Sequence, residues 1–214
     1  MKKRGTMDKE SKTLERIHEV ARAEFLEKGF QAASLRNIVK NAGVTTGAFY
    51  GYYKSKEELF DALVSTQYEH IMKLYTDTQN HFKELDAHSQ KESMGEVSGD
   101  CMEEMLEYMY ENEEEFRLIL SCSQGTRYES MVHEMSEIEV QATHDFVETM
   151  NQSGVHIKSV DPMLEHVLVS GMFSAFFELL LHRSRIQEAK LYLKQLRAFY
   201  TAGWREVFEM SQHE

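Results

Sequence analysis

The sequence predicts an all-α protein: a three-helix head with a helix-turn-helix, then a larger helical body, about nine helices in all. Three observations carry that prediction. One proline and eleven glycines in 214 residues leave long stretches free of helix breakers. Apolar residues recur at three- and four-residue spacing through most of the chain. No stretch alternates apolar and polar residues as a half-buried strand would.

Taken in order, residues 10–28 place Leu14, Ile17, Val20, Ala21, Phe25 and Leu26 on one helical face, and Gly29 stops the run. Ser34 caps a short second helix whose inner face is Leu35, Ile38, Val39 and Ala42. Gly43 makes a tight turn, Val44 plugs inward, and Thr45 caps a third short helix. Ser55 caps a long fourth helix, with Glu58 completing a capping box and a stripe through Leu59, Leu63, Tyr68, Ile71, Tyr75 and Phe82. Residues 88–100, polar and bearing glycines, read as a loop. Helices resume over 100–111, 113–123 and 127–151. Asp161-Pro162 opens an eighth helix, a capping carboxylate followed by the residue favoured at the first helical position. A ninth covers 188–210, with Leu193, Leu196, Phe199, Tyr200, Trp204, Val207 and Phe208. The expected domains are residues 1–56, the helix-turn-helix head, and residues 57–214, the ligand-binding and dimerisation body.

Charge divides the same way. Residues 1–60 carry 12 Lys and Arg against 8 Asp and Glu, while the remainder carries 12 against 28. A basic head on an acidic body can engage a polyanion with the head alone. The N-terminus is basic but lacks the apolar segment of a secretory signal, and no window reads as a membrane-length apolar run. A cytoplasmic protein without a membrane partner is therefore expected. Cys101 and Cys122 are too few for a disulfide framework and read as reduced thiols rather than a redox pair.

The stretch GVTTGAFYGYYKSKEELF, residues 43–60, packs three glycines and five aromatic rings together. A helix entering the DNA major groove needs little bulk where its backbone approaches, which suits Gly47 and Ala48. Hydroxyls and methyls of Thr45 and Thr46 can meet base edges. Tyr50 and Tyr52 can donate to phosphates, and Lys54 and Lys56 add charge. Carboxylates would repel DNA, and none occurs in residues 28–56 of a chain that holds 36 of them.

EKGFQAASLRNIVKNAGVTTGAFYGYYKSKEELFDAL resembles the DNA-binding head of the TetR family of bacterial transcriptional regulators. Phe25, Gly29, Ser34, Arg36, Ile38, Ala42-Gly43-Val44, Gly47, Tyr50, Tyr53 and Lys56 fall in register over residues 12–63. The resemblance implies an all-helical homodimer that reads a palindromic operator, with repression relieved by a small-molecule ligand. It also implies DNA contacts from Ser34 and Arg36 on the second helix, from Thr45, Thr46, Gly47, Ala48, Tyr50 and Tyr52 on the third, and from Lys56 on phosphate. Thr46, Gly51 and Tyr53 depart from the pattern, where lysine, a larger residue and phenylalanine are usual. Gly51 is expected to cost the third helix about 1 kcal/mol. An N-terminal Lys2-Lys3-Arg4 arm is expected to make up the missing lysine.

In the body, the last two helices hold more apolar surface than one core uses. Gly171, Ala175, Phe176, Leu179, Leu196, Tyr200, Gly203, Trp204 and Val207 are the expected dimer interface, as an isologous four-helix bundle. Met102, Met105, Met109, Met131 and Met135 could line a cavity for an irregular apolar ligand, with gap-filling core as the plainer reading. Met94 and Met150 extend that set. Glu103, Glu104, Glu107, Glu111 and Glu113–Glu115 read as a solvated acidic face. His133 and Glu137 lie one turn apart, but no His-x₃-His pair or CxxC motif announces a metal, so no metal and no cofactor are expected. Nothing resembles a nucleophile motif, phosphate loop or catalytic carboxylate pair, which argues against an enzyme. The alternative to a ligand-released repressor is a DNA-binding adaptor whose body binds a protein.

Overall fold

The computed structural model describes residues 2–157, 159–182 and 185–209, with the backbone alone for residues 2–9 and 209. It is all-helical among the described residues: α1 (Lys2–Ala32), α2 (Leu35–Asn41), α3 (Thr46–Tyr50), α4 (Lys56–Glu84), α5 (Ala87–Glu111), α6 (Glu113–Cys122), α7 (Met131–Gln152), α8 (Pro162–Leu181) and α9 (Ile186–Glu209). Gly29 sits at φ 72°, where a side chain would be strained, and breaks the helical path inside α1. The Lys2, Lys3 and Arg4 side chains and residue 210 lie outside the described residues.

The chain forms two compact units, one of Met1–Glu69 with Glu113–Glu129, the other of His70–Asn112 with Ser130–Glu214. In the first, Ile17, Ala21 and Phe25 of α1 are buried with Ile38, Phe49, Leu59 and Phe60. The Phe60 ring meets Phe25 at 5.1 Å and Phe30 at 5.3 Å, both edge-on. α6 packs against α1 through buried Phe116, Leu118 and Ile119, and Glu115 pairs with Arg22 at 3.1 Å. Tyr128 is buried, edge-on to Tyr68 at 5.0 Å, and its hydroxyl donates to Asp61, which also holds Arg127 at 2.8 Å. Burial first, and then the hydrogen bond to Asp61, push the Tyr128 phenol up to about 12.

In the second unit α8 packs against α7 and α9, and α5 against α9. Val169, Phe173, Phe176, Phe177 and Leu180 of α8 are buried. Asp161 caps α8 by accepting the N–H groups of Met163 and Leu164, with Pro162 in the first turn. Two sequence expectations are corrected here. Residues 88–100 are helix rather than loop: Asp86 accepts the N–H groups of His88 and Ser89 and starts α5 a full three turns early. Gly99 is spent on a close approach, since a Cβ there would lie 1.7 Å from the Arg197 guanidinium. Arg197 also donates to the Gly95 carbonyl. The second correction concerns hydropathy. α8, 20 residues at mean hydropathy 1.5, is long and apolar enough to cross a membrane by length and composition. One of its faces forms the core just described, while Met163, Leu164 and Val167 are exposed.

Candidate functional site

The local chemistry of α2 and α3 follows from their caps. The Ser34 hydroxyl accepts the Asn37 N–H at 3.4 Å and that of Thr45 accepts the Ala48 N–H at 3.1 Å. Between the helices Gly43 turns the chain at φ 63°, and the Val44 N–H reaches the Val39 carbonyl at 3.2 Å. Phe49 and Tyr53 point inward and are buried. That fixes what points outward: Thr45, Thr46, Gly47 and Ala48 are exposed, Tyr52 is half-buried, and Tyr50 is 53% exposed. On α2, Arg36 is exposed and Ser34 half-buried. A Cβ at Gly47 would meet nothing within 4 Å, so the glycine serves no internal packing. The result is a small, hydroxyl-bearing, carboxylate-free surface.

Two departures from the family pattern find structural reasons. Gly51 is the C-cap of α3 rather than an interior residue, so the expected helix cost does not arise. The Tyr53 hydroxyl meets His18 Nε2 of α1, a contact that phenylalanine could not make. Burial, followed by the charge of Arg22, holds His18 below its ordinary imidazole value, which favours the uncharged ring beside the phenol.

Lys56 is a correction. Its ammonium donates to the carbonyls of Phe30 at 2.6 Å, Gln31 at 3.2 Å and Ala33 at 3.0 Å, and lies 4.5 Å from the Phe30 ring centroid. All three N–H bonds are used on the C-terminal end of α1, where carbonyls and helix dipole attract a cation. The charge expected on phosphate closes the head's own structure instead. At the start of α4 the Ser55 hydroxyl accepts the Glu58 N–H at 3.1 Å, while Glu58 reaches back to the Lys54 N–H.

The body residues sort differently from expectation. Met102, Met105, Met109, Met131 and Met135 are all buried, and none lines either of the two cavities described next. A stripe of methionines satisfies core and cavity alike, and its burial away from both cavities favours core. The larger cavity, about 610 Å³, is lined by Thr143, His144, Val147, Glu148, Asn151, Gln152, Ser159, Val160, Glu165 and Phe208. The smaller, about 410 Å³, lies among Leu74, Asp77, Thr78, His81, Val97, Asp100, Cys101 and Glu104. At the first, Glu165 is 2% exposed. His144 Nε2 lies 2.7 Å from its Oε2, and its Oε1 has no hydrogen-bond partner among the described residues. Nothing in the sequence marked this glutamate.

Of the expected dimer residues, Phe176 is wholly buried inside its own chain and cannot face a second copy. Gly171 and Tyr200 meet each other, since a Cβ at Gly171 would lie 3.3 Å from the Tyr200 hydroxyl. Ala175, Leu179, Leu196, Trp204 and Val207 are half-buried and Gly203 exposed. The apolar side chains that stand free on α8 and α9 are Met163, Leu164, Val167, Leu191, Tyr192 and Phe199, the last 72% exposed. Cys101 and Cys122 are free, buried thiols, each pushed above its ordinary value chiefly by that burial.

Residues 17–63 match the family model of the bacterial regulatory proteins, tetR family. Over 59 residues the chain is 39% identical to the HTH-type transcriptional regulator YdgC of Bacillus subtilis (strain 168) and 36% identical to the HTH-type transcriptional repressor KstR2 of Mycobacterium tuberculosis. Each match takes in 28% of this chain and spans 30% of the relative's length. Among solved structures, a transcriptional regulator (TerR/AcrR family) from Aquifex aeolicus VF5 aligns with 86% of this chain and 96% of its own, at TM-score 0.52 and 24% identity, which establishes the fold. The likeness to the tetR-family model therefore lies in the head, residues 17–63, and the likeness of the rest of the chain to the Aquifex aeolicus regulator is one of fold.

Proposed function

We propose that the chain is a transcriptional repressor that binds a palindromic operator as a homodimer and is released by a small molecule. The observation that carries this reading is the outward face of α3, where Thr45, Thr46, Gly47, Ala48 and Tyr50 are exposed and Phe49 is buried behind them. Threonines address base edges, the tyrosine hydroxyls and Arg36 address phosphate, and Gly47 lets the backbone come close. A regulator of bacterial genes does this work in the cytoplasm.

The dimer rests on the free apolar side chains of α8 and α9, with Met163, Val167, Leu191 and Phe199 at its centre. Two copies bring two recognition helices to half-sites about 34 Å apart, one turn of DNA. Release needs a ligand that binds the DNA-incompetent state more tightly, because equal affinity for both states shifts nothing. The 610 Å³ cavity with Glu165 on its wall has the size and the polar anchor for such a ligand. α4, continuous from Lys56 to Glu84, contributes residues to both units and is one of three covalent links between them, beside those at Asn112–Glu113 and Glu129–Ser130.

A selection from random duplexes, with sedimentation of the free protein, tests the reading. A palindrome bound by a dimer is expected. A monomer, or a library without a preferred sequence at moderate salt, ends it. The burial of the five methionines supports the adaptor alternative, and a thermal-shift screen divides the two: a small-molecule effector raises the melting temperature in proportion to its binding.

A further inference from the structure

Histidine and carboxylate side chains meet a second time between α7 and α8, outside the lining of either cavity. His133 and Glu137 stand one turn apart on α7 and His166 comes to them from α8, so that one ligating atom of each lies within 4.8 Å of the others. His166 Nδ1 is 3.5 Å from Glu137 Oε1. The His133 and His166 rings are 5.8 Å apart at 71°. The other nitrogen of His166, Nε2, sits 3.4 Å from Ser170 Oγ.

A surface ion pair would use one imidazole and one carboxylate. It gives no reason for a second imidazole to turn into the same point from a different residue. A cation does. Zinc bonds to nitrogen and oxygen of about 2.0–2.2 Å give tetrahedral edges of about 3.4 Å, close to the Nδ1–Oε1 separation here. Two imidazoles and a carboxylate suit zinc and its neighbours in the first transition row, whereas magnesium and calcium take oxygen sets. Ser170 completes the logic: with Nδ1 on a metal, Nε2–H is left to donate to its hydroxyl, which fixes the tautomer and the ring plane.

We propose that His133, Glu137 and His166 bind one divalent transition-metal ion, zinc foremost, which pins α7 to α8 and leaves its remaining coordination to water. His133 and Glu137 are exposed, so the ion enters and leaves without unfolding the chain. The ion would make the stability of this helix pair depend on metal supply, whatever ligand the neighbouring cavity takes.

The test uses the full chain, stripped with chelator and titrated with zinc by calorimetry and with cobalt by visible absorption. One ion per chain is expected, with the intense bands of low-coordinate cobalt. His133→Ala and His166→Ala are each expected to weaken zinc binding about tenfold or more, and zinc should no longer raise the melting temperature of the double variant. His133→Ala and Glu137→Gln alter exposed side chains, so loss of binding with unchanged circular dichroism separates the site from the fold. The proposal is overturned if the double variant binds zinc as the unmodified chain does. It is equally overturned if the unmodified chain takes up none, or takes half an ion per chain by bridging two copies.

Discussion

The Glu24 carboxylate accepts the backbone N–H of Ser34 at 3.0 Å, ten residues along the chain. The same oxygen holds Lys28 Nζ at 2.9 Å. Ser34 is the N-cap of α2, so a glutamate of α1 sets where the helix-turn-helix begins. The hydrogen bond from Lys28, then that from Ser34, holds the Glu24 carboxyl below its ordinary 4.5. With the folded value depressed, the stabilisation is fully present above pH 4.5 and is lost as pH falls through the lower, folded value. Glu24→Gln should therefore lower stability at neutral pH and flatten the acid limb below that value. Urea unfolding across pH measures it, and an unchanged acid limb would remove Glu24 from this role.

Lys56 predicts a second separation. Because its ammonium closes the carbonyl end of α1, Lys56→Met should cost about 2 kcal/mol of stability, the range for hydrogen bonds to a charged group. The salt dependence of operator binding should stay as it was, since a charge that never touched phosphate releases no counterion. A slope shallower by about one unit would return Lys56 to the DNA contacts.

Gly47 separates folding from binding in the opposite sense. A methyl group there meets nothing within 4 Å, and alanine favours helix over glycine by about 1 kcal/mol. Gly47→Ala should unfold at a slightly higher temperature and yet bind operator more weakly, because the added carbon stands on the face that nears DNA. Tighter binding, or a lower melting temperature, would contradict the placement of that face.

How far the sequence led is visible in these same residues. The caps at Ser34, Thr45 and Ser55 and the turn at Gly43 are local signals, each decided within four residues, and each appears where expected. The start of α5 was not legible, because Asp86 competes with a polar run and the use of Gly99 depends on Arg197, far along the chain. Nor was the packing of α6 on α1, whose Arg22–Glu115 pair joins residues 93 apart. Periodicity put the methionines on an inner face but could not say whether that face was filled. Apolar character all round α8 conceals which side is core, so spacing alone does not show that Phe176 faces inward.

The sharpest prediction concerns Glu165, which spacing alone could not single out. A buried acceptor left without a hydrogen bond costs about 1–3 kcal/mol, and folding gives no reason to keep one. Glu165 Oε1 is such an acceptor, while Oε2 is held by His144 at 2.7 Å. The wall beside it is part apolar, with Val147, Val160 and Phe208, and part polar, with Thr143 and Asn151. The ligand that answers this arrangement has an apolar body and one N–H donor, best as a cation, directed at the free oxygen. Amphipathic amines should raise the melting temperature of the unmodified chain, and their neutral, donor-free analogues should not. Glu165→Gln retains the shape and loses the charge, and should weaken amine binding about tenfold, a typical loss when a charge-assisted hydrogen bond becomes a neutral one. Equal binding by both proteins would place the effector elsewhere, with the acidic 410 Å³ cavity beside Asp77, Asp100 and Glu104 as the next position to test.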